Sequence, residues 1–102
     1  MLIKHATTAG TIESSDVMVM IEPAEAGIEI LLESPVLQRY GAFQQIRQVT
    51  AETLRLLKVE NAKVSLVDRG ALDCTIRARV ECAVYRAADA AENGIAWGGT
   101  IE

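Results

Sequence analysis

Two short runs in the first third of the chain carry the character of strands. VMVMI, residues 17–21, is β-prone, and AGIEILLE, residues 26–33, repeats that character with Ile28, Ile30 and Leu32 on one face. Between them, Glu22 to Gly27 contains Pro23 and Gly27 and predicts the connection of a hairpin. Residues 1–16 keep no sustained period and carry Thr7, Thr8, Gly10, Thr11, Ser14 and Ser15, so they read as a flexible arm or loop.

Ser34 and Pro35 announce a change to helical spacing, because the hydroxyl can cap free N–H groups and proline loses nothing at the first helical position. Val36, Leu37, Tyr40, Phe43, Ile46, Val49, Thr50, Thr53, Leu54 and Leu57 then form one stripe, with Gln38, Arg39, Gln44, Gln45, Gln48 and Arg55 mostly outside it. Gly41 weakens this helix by about 1 kcal/mol or marks a close packing contact. After Lys58 the period returns to two, with Ala62, Val64 and Leu66 opposite Lys63, Ser65 and Val67.

Asp68, Arg69 and Gly70 supply a turn. Cys74, Ile76, Ala78, Val80, Cys82 and Val84 alternate with Thr75, Arg77, Arg79 and Glu81, which favours a return strand and leaves the alanine-rich residues 82–91 open to a helix. The glycine-containing tail from Asn93 reads as irregular, with Trp97 available to cover apolar surface. The expected fold is a small two-layer α+β domain: a four-stranded, mostly antiparallel sheet, one long helix and room for a short C-terminal helix.

Composition narrows this picture in three ways. At 102 residues the chain suits a single domain, and with four aromatic residues its core must be mainly aliphatic. A formal charge of −4 opposes nonspecific binding to phosphate backbones, so nucleic acid is not an expected partner. No apolar run reaches the roughly 20 residues that span a bilayer, and Glu13 and Asp16 interrupt the N-terminal segment that could pass for a signal peptide; the expected compartment is the cytoplasm. Cys74 and Cys82 would stand about 12 Å apart on a helix and over about 25 Å apart on a straight strand, beyond disulfide reach, so both read as small buried hydrophobes.

Candidate chemistry is sparse. His5 is the only histidine and reads as a solvated side chain, and no Ser/His/Asp order or nucleophile elbow suggests a hydrolase. Glu13, Asp16, Glu22 and Glu25 lack a metal-binding pattern and read as solvated charges. Arg69, Arg77 and Arg79 suit a phosphorylated group, the last two sharing one face of a strand. Ser14 and Ser15, between Glu13 and Asp16, read as an accessible polar loop or a modification site.

AGTIESSD at 9–16 and DRGALDCTIRARVE at 68–81 resemble the citrate lyase acyl carrier proteins, the gamma subunits of citrate lyase. The likeness runs over nearly the whole chain, with the two motifs in the family's order. It implies a single acyl carrier domain over residues 1–102 with no catalytic site of its own. It also implies that Ser14 bears a 2'-(5''-phosphoribosyl)-3'-dephospho-CoA group through a phosphodiester, Ser15 being the nearest rival. The implied work is carriage of acetyl and citryl thioesters between an alpha (acyl transferase) and a beta (citryl lyase) subunit, after loading by a dedicated prosthetic-group transferase. Malonate decarboxylase carriers, which use a related group, are the nearest alternative; a noncatalytic scaffold or assembly protein is another.

Overall fold

Val64 and Leu66 sit at the centre of the sheet, and the strand that holds them explains the topology. The computed structural model describes residues 1–33 and 42–89, in the order β1 (Thr7–Gly10), β2 (Val17–Glu22), β3 (Ile28–Glu33), α1 (Ala42–Leu56), β4 (Ala62–Asp68) and α2 (Asp73–Ala87). The sheet order is β1-β2-β4-β3. β4 pairs antiparallel with β2, Leu66 opposite Val19, and parallel with β3, Leu66 opposite Leu32.

The expected hairpin of residues 17–21 with 26–33 is therefore not formed. Strand β4 lies between them, returning through α1 as a parallel neighbour of β3, a connection that needs a crossover. Inward residues Ala62, Val64 and Leu66 are almost completely buried, and β4 alternates buried and half-buried positions throughout, as its period predicted. The sheet is mostly antiparallel, as expected, with β3/β4 its one parallel pair.

Its fourth strand is not the one the alternation after Cys74 suggested. That stretch is helix α2, because Ile76, Val80, Ala83, Val84 and Ala87 are buried together, at helical spacing, while Cys74 and Ala78 are exposed. Even-numbered apolar residues satisfied both periods; burial on a curved face selected the helix. Cys74 is accordingly exposed and Cys82 only half-buried, not a buried pair, and both are free thiols.

The fourth strand is β1, inside the segment that read as an arm. Its pattern is weak because it is four residues long, with Ala9 its only fully buried side chain. Tertiary bonds hold it: the Thr7 hydroxyl donates to the Ala83 carbonyl at 2.8 Å, and the Arg86 guanidinium donates to the Thr8 carbonyl at 2.9 Å. Upstream, the Lys4 N–H donates at 2.8 Å to the Ala87 carbonyl at the end of α2.

Both helices cover one face of the sheet. Ile46, Val49, Thr50, Thr53 and Leu54 form the buried stripe of α1, as the spacing predicted. The two threonines lie inside it because their hydroxyls donate to the carbonyls of Ile46 and Val49, one turn back, at 2.9 and 2.8 Å. Phe43 departs from expectation: it is 37% exposed, and the Arg47 guanidinium lies over its ring at 5.1 Å from the centroid. It lies about one turn before Ile46, the first buried residue of α1 among the described residues. The predicted start at Ser34 and Pro35, with Val36, Leu37, Tyr40 and Gly41, and the tail with Trp97 fall outside the described residues.

Candidate functional site

Residues 11–16 cross from β1 to β2, and the crossing begins at a residue that only glycine can occupy. Gly10 has φ +89, and a Cβ there would stand 1.9 Å from the Val17 carbonyl oxygen, a backbone atom. The chain then turns tightly. The Asp16 N–H donates to the Glu13 carbonyl at 3.1 Å, and Ser15 has φ +66. Ser14 is not among the positive-φ residues, so the turn centred on Ser14 and Ser15 has the φ signs of a type II turn.

This turn is fastened to the end of β4. The Ser15 N–H donates to the Arg69 carbonyl at 2.8 Å, and the Arg69 N–H returns a bond to the Asp16 carbonyl at 2.9 Å. Ser14 and Ser15 are both exposed. The Ser15 N–H is committed to Arg69, and among the described residues no hydrogen bond engages the hydroxyl of either serine.

Asp16 organises the loop. Its Oδ2 accepts from the Thr11 hydroxyl at 2.6 Å and the Thr11 N–H at 3.1 Å, and its Oδ1 accepts from the Val17 N–H at 2.7 Å. Arg79 completes the set with a two-pronged contact, Nε to Oδ1 at 3.0 Å and Nη2 to Oδ2 at 3.2 Å. The Thr11 hydroxyl, then the Arg79 guanidinium and the Val17 amide hold the Asp16 carboxyl down to about 2, against the opposing effect of burial. Asp16 is thus no solvated charge: its side chain is only 13% exposed.

The second motif is what delivers Arg79. Asp68 is buried, and its carboxylate accepts from the N–H groups of Gly70 at 3.1 Å and Ala71 at 3.0 Å, closing the turn out of β4. Gly70 supplies the left-handed residue at φ +91. Helix α2 follows at once, with Asp73 in its first turn, where a negative charge suits the helix N-terminus. Gln45 of α1 donates to that carboxylate at 2.7 Å, tying the helices together.

The structure therefore joins the two polar stretches, 63 positions apart at their Asp16–Arg79 contact. It does not unite the other candidates. On a helix, Arg77 and Arg79 point about 200° apart, so they share no face; Arg79 serves Asp16, while Arg77 and Arg69 are exposed, Arg69 acting through its backbone. His5 lies at the far end of β1 from the serines, with its Nε2 2.8 Å from Asp89 Oδ1. Glu13, Glu22 and Glu25 are exposed. Among the described residues no three His, Cys, Asp or Glu side chains are grouped to hold a metal ion.

The sequence marked Gly10 as part of the polar stretch but not the close approach of the Val17 carbonyl that excludes any side chain there, and it did not directly mark the pairing of Asp16 with Arg79. The signal for the latter was the helical spacing of residues 76–87, which once recognised separates Arg79 from Arg77.

Residues 4–87 match the family model described as malonate decarboxylase delta subunit, an acyl carrier protein family. The chain is 52% identical over 89 residues to a citrate lyase acyl carrier protein of Lacticaseibacillus casei, covering 87% of this chain and 86% of that one. It is 53% identical over 90 residues to one of Vibrio cholerae serotype O1, covering 87% and 90%. Against one from an Enterobacter species the identity is 48% over 97 residues, covering 95% and 96%. Among solved structures, a chain of a Pseudomonas malonate decarboxylase hetero-tetramer in complex with malonate superposes with a TM-score of 0.66 at 20% identity, over 82% of this chain and 84% of that one, which shows a shared fold. Matched by the family model over residues 4–87 and about half identical to these relatives over most of its length, the chain belongs to the citrate lyase and malonate decarboxylase family of acyl carrier proteins.

Proposed function

We propose that the chain is the acyl carrier subunit of a citrate lyase complex and that Ser14 is its point of covalent attachment. One observation supports Ser14 over its neighbour: both serines of the turn are exposed, but Ser15 is the one held in the left-handed conformation with its N–H bound to Arg69, whereas Ser14 carries neither constraint. A serine that must accept a bulky group and then support a swinging arm needs open space around Oγ and a firm base beneath the backbone. Both are present.

The group this reading places on Ser14 is 2'-(5''-phosphoribosyl)-3'-dephospho-CoA, whose terminal thiol carries acetyl and citryl groups as thioesters. Ser14 contributes the oxygen of the phosphodiester. In loading from the 2'-(5''-triphosphoribosyl)-3'-dephospho-CoA precursor, Ser14 Oγ forms a bond to the α-phosphorus as the bond from that phosphorus to the departing pyrophosphate breaks, and the serine proton passes to a base on the prosthetic-group transferase. Thereafter the carrier domain keeps its cargo near the alpha and beta subunits, raising the effective concentration at both sites. The expected compartment of this work is the cytoplasm.

A malonate decarboxylase carrier is the second reading, favoured by the description of the family model. Identities of 52 and 53% to citrate lyase carriers weigh toward the first. The test is intact mass and peptide mapping of the chain coexpressed with the attachment enzymes, followed by reconstitution with citrate lyase alpha and beta subunits. An adduct on Ser14, its loss in Ser14→Ala with an unchanged melting curve, and citrate cleavage on reconstitution are expected. The same adduct on Ser14→Ala would overturn the site, and restoration of malonate decarboxylase in place of citrate lyase would overturn the complex.

A further inference from the structure

We propose that Arg79 is a positioning residue for loading: by gripping Asp16 it holds the Glu13–Asp16 turn so that Ser14, and not the adjacent Ser15, is the serine that meets the modifying enzyme. This rests on the reading of Ser14 as the attachment point and adds what selects it.

The two hydroxyls are chemically alike, one residue apart and both exposed, so exposure does not choose between them. Backbone geometry does. Ser15 occupies the left-handed position with its N–H bound to Arg69, whereas Ser14 carries neither constraint, so the turn holds the two serines in different settings. That position is one that non-glycine residues adopt only when their surroundings enforce it. Here backbone bonds to Arg69 hold Ser15 and Asp16 from one side, and side-chain contacts gather on the carboxylate of Asp16, the residue that closes the turn. Thr11 binds it from within the loop, and Arg79 binds it from α2.

Arg79 is the contact that ties this loop to a helix by side chains. Its guanidinium reaches both carboxylate oxygens, and its Cδ comes within 3.1 Å of where a Gly10 Cβ would lie, so its stem also fills the space at the root of the loop. Removing it would leave the Glu13–Asp16 turn held by local bonds and by the backbone of Arg69. A turn free to relax at Ser15 presents either hydroxyl.

The experiment compares wild type, Arg79→Ala, Arg79→Lys and Thr11→Val as purified full-length apo proteins. Each is incubated with the transferase and 2'-(5''-triphosphoribosyl)-3'-dephospho-CoA. Adduct formation is timed by intact mass, the Ser14:Ser15 partition is read by peptide mapping, and amide hydrogen exchange reports on Ser15 and Asp16. Melting curves establish that each variant is folded, and Thr11→Val, at an exposed position, tests the same carboxylate should Arg79→Ala fail to fold.

The expected result is adduct on Ser14 alone in wild type. Arg79→Ala should load about tenfold more slowly or worse, with adduct divided between the serines and faster exchange at Ser15 and Asp16. Arg79→Lys should fall between, and Thr11→Val should move the partition in the same direction. Loading of Arg79→Ala or Thr11→Val at the wild-type rate on Ser14 alone would overturn the role of Arg79 while leaving Ser14 as the site. Slower loading with neither partition nor exchange altered would also overturn it, as a docking contact does that. Absence of any adduct on wild type under conditions that load a known carrier would overturn the Ser14 reading itself, and this inference with it.

Discussion

Replacing Asp16 by asparagine keeps the size of the side chain and removes its charge, but because both carboxylate oxygens accept hydrogen bonds it also sets an NH2 against a donor, so the electrostatic part of the loop's stability is read from the pH dependence of the difference. A carboxyl lowered from 3.8 to about 2 on folding would contribute about 2.4 kcal/mol at neutral pH if fully shielded from water. The Arg79 side chain is 41% exposed, so solvent screening reduces the expected contribution to roughly 1–1.5 kcal/mol. The pH dependence follows in sign from the lowered value. Between about 2 and 3.8 the unfolded chain binds the proton that the folded chain refuses, so stability rises with pH through this range. The contribution is fully present above the upper value and disappears as pH falls through the lower one. Urea unfolding of wild type and Asp16→Asn from pH 7 down to pH 2 measures it. The difference in unfolding free energy should be roughly 1–1.5 kcal/mol near neutrality, more if the amide faces Arg79 badly, and should shrink below pH 4 as the wild-type carboxyl takes up its proton. A difference that stays flat from pH 7 to pH 2 would refute the account, because it would show that shape and not charge makes Asp16 valuable.

Two further substitutions probe the backbone and the revised helix face. Gly10→Ala should destabilise the domain by about 3 kcal/mol or more, since its Cβ would meet the Val17 carbonyl oxygen at 1.9 Å in addition to the left-handed φ; a loss below about 1 kcal/mol in denaturant titration would mean the loop root yields easily. Phe43→Asp, which a buried ring would make severe, should cost no more than about 1 kcal/mol because the ring is part-exposed and its partner is Arg47. A large fall in melting temperature would place that ring against a surface it does not meet among the described residues.

The local periods of the chain were sufficient for much of the architecture. Alternation at Ala62, Val64 and Leu66 and the stripe from Ile46 to Leu54 each bury one face whatever their neighbours, so strand β4 and helix α1 could be read directly. The polar turn segments were equally legible, because glycine, serine and aspartate at 10–16 and 68–70 have local conformational reasons to be there. What periodicity could not supply was pairing. Val17 to Ile21 is compatible with β3 or β4 as a partner, and only the return through α1 inserted β4 between the two. The four residues of β1 have too little pattern to signal a strand; Thr7, Ala83, Thr8 and Arg86 make it one through contacts over 70 positions away. Residues 73–87 satisfy both periods, and packing of Ile76, Val80 and Val84 against the sheet selected the helix. That selection also built the site. As a strand the segment would have turned Arg77 and Arg79 to the same side; as a helix it separates them and carries Arg79 alone to Asp16, under the turn that exposes Ser14. A charged pair so distant in sequence has no local signature, since its geometry is set by where two loops end on a shared sheet.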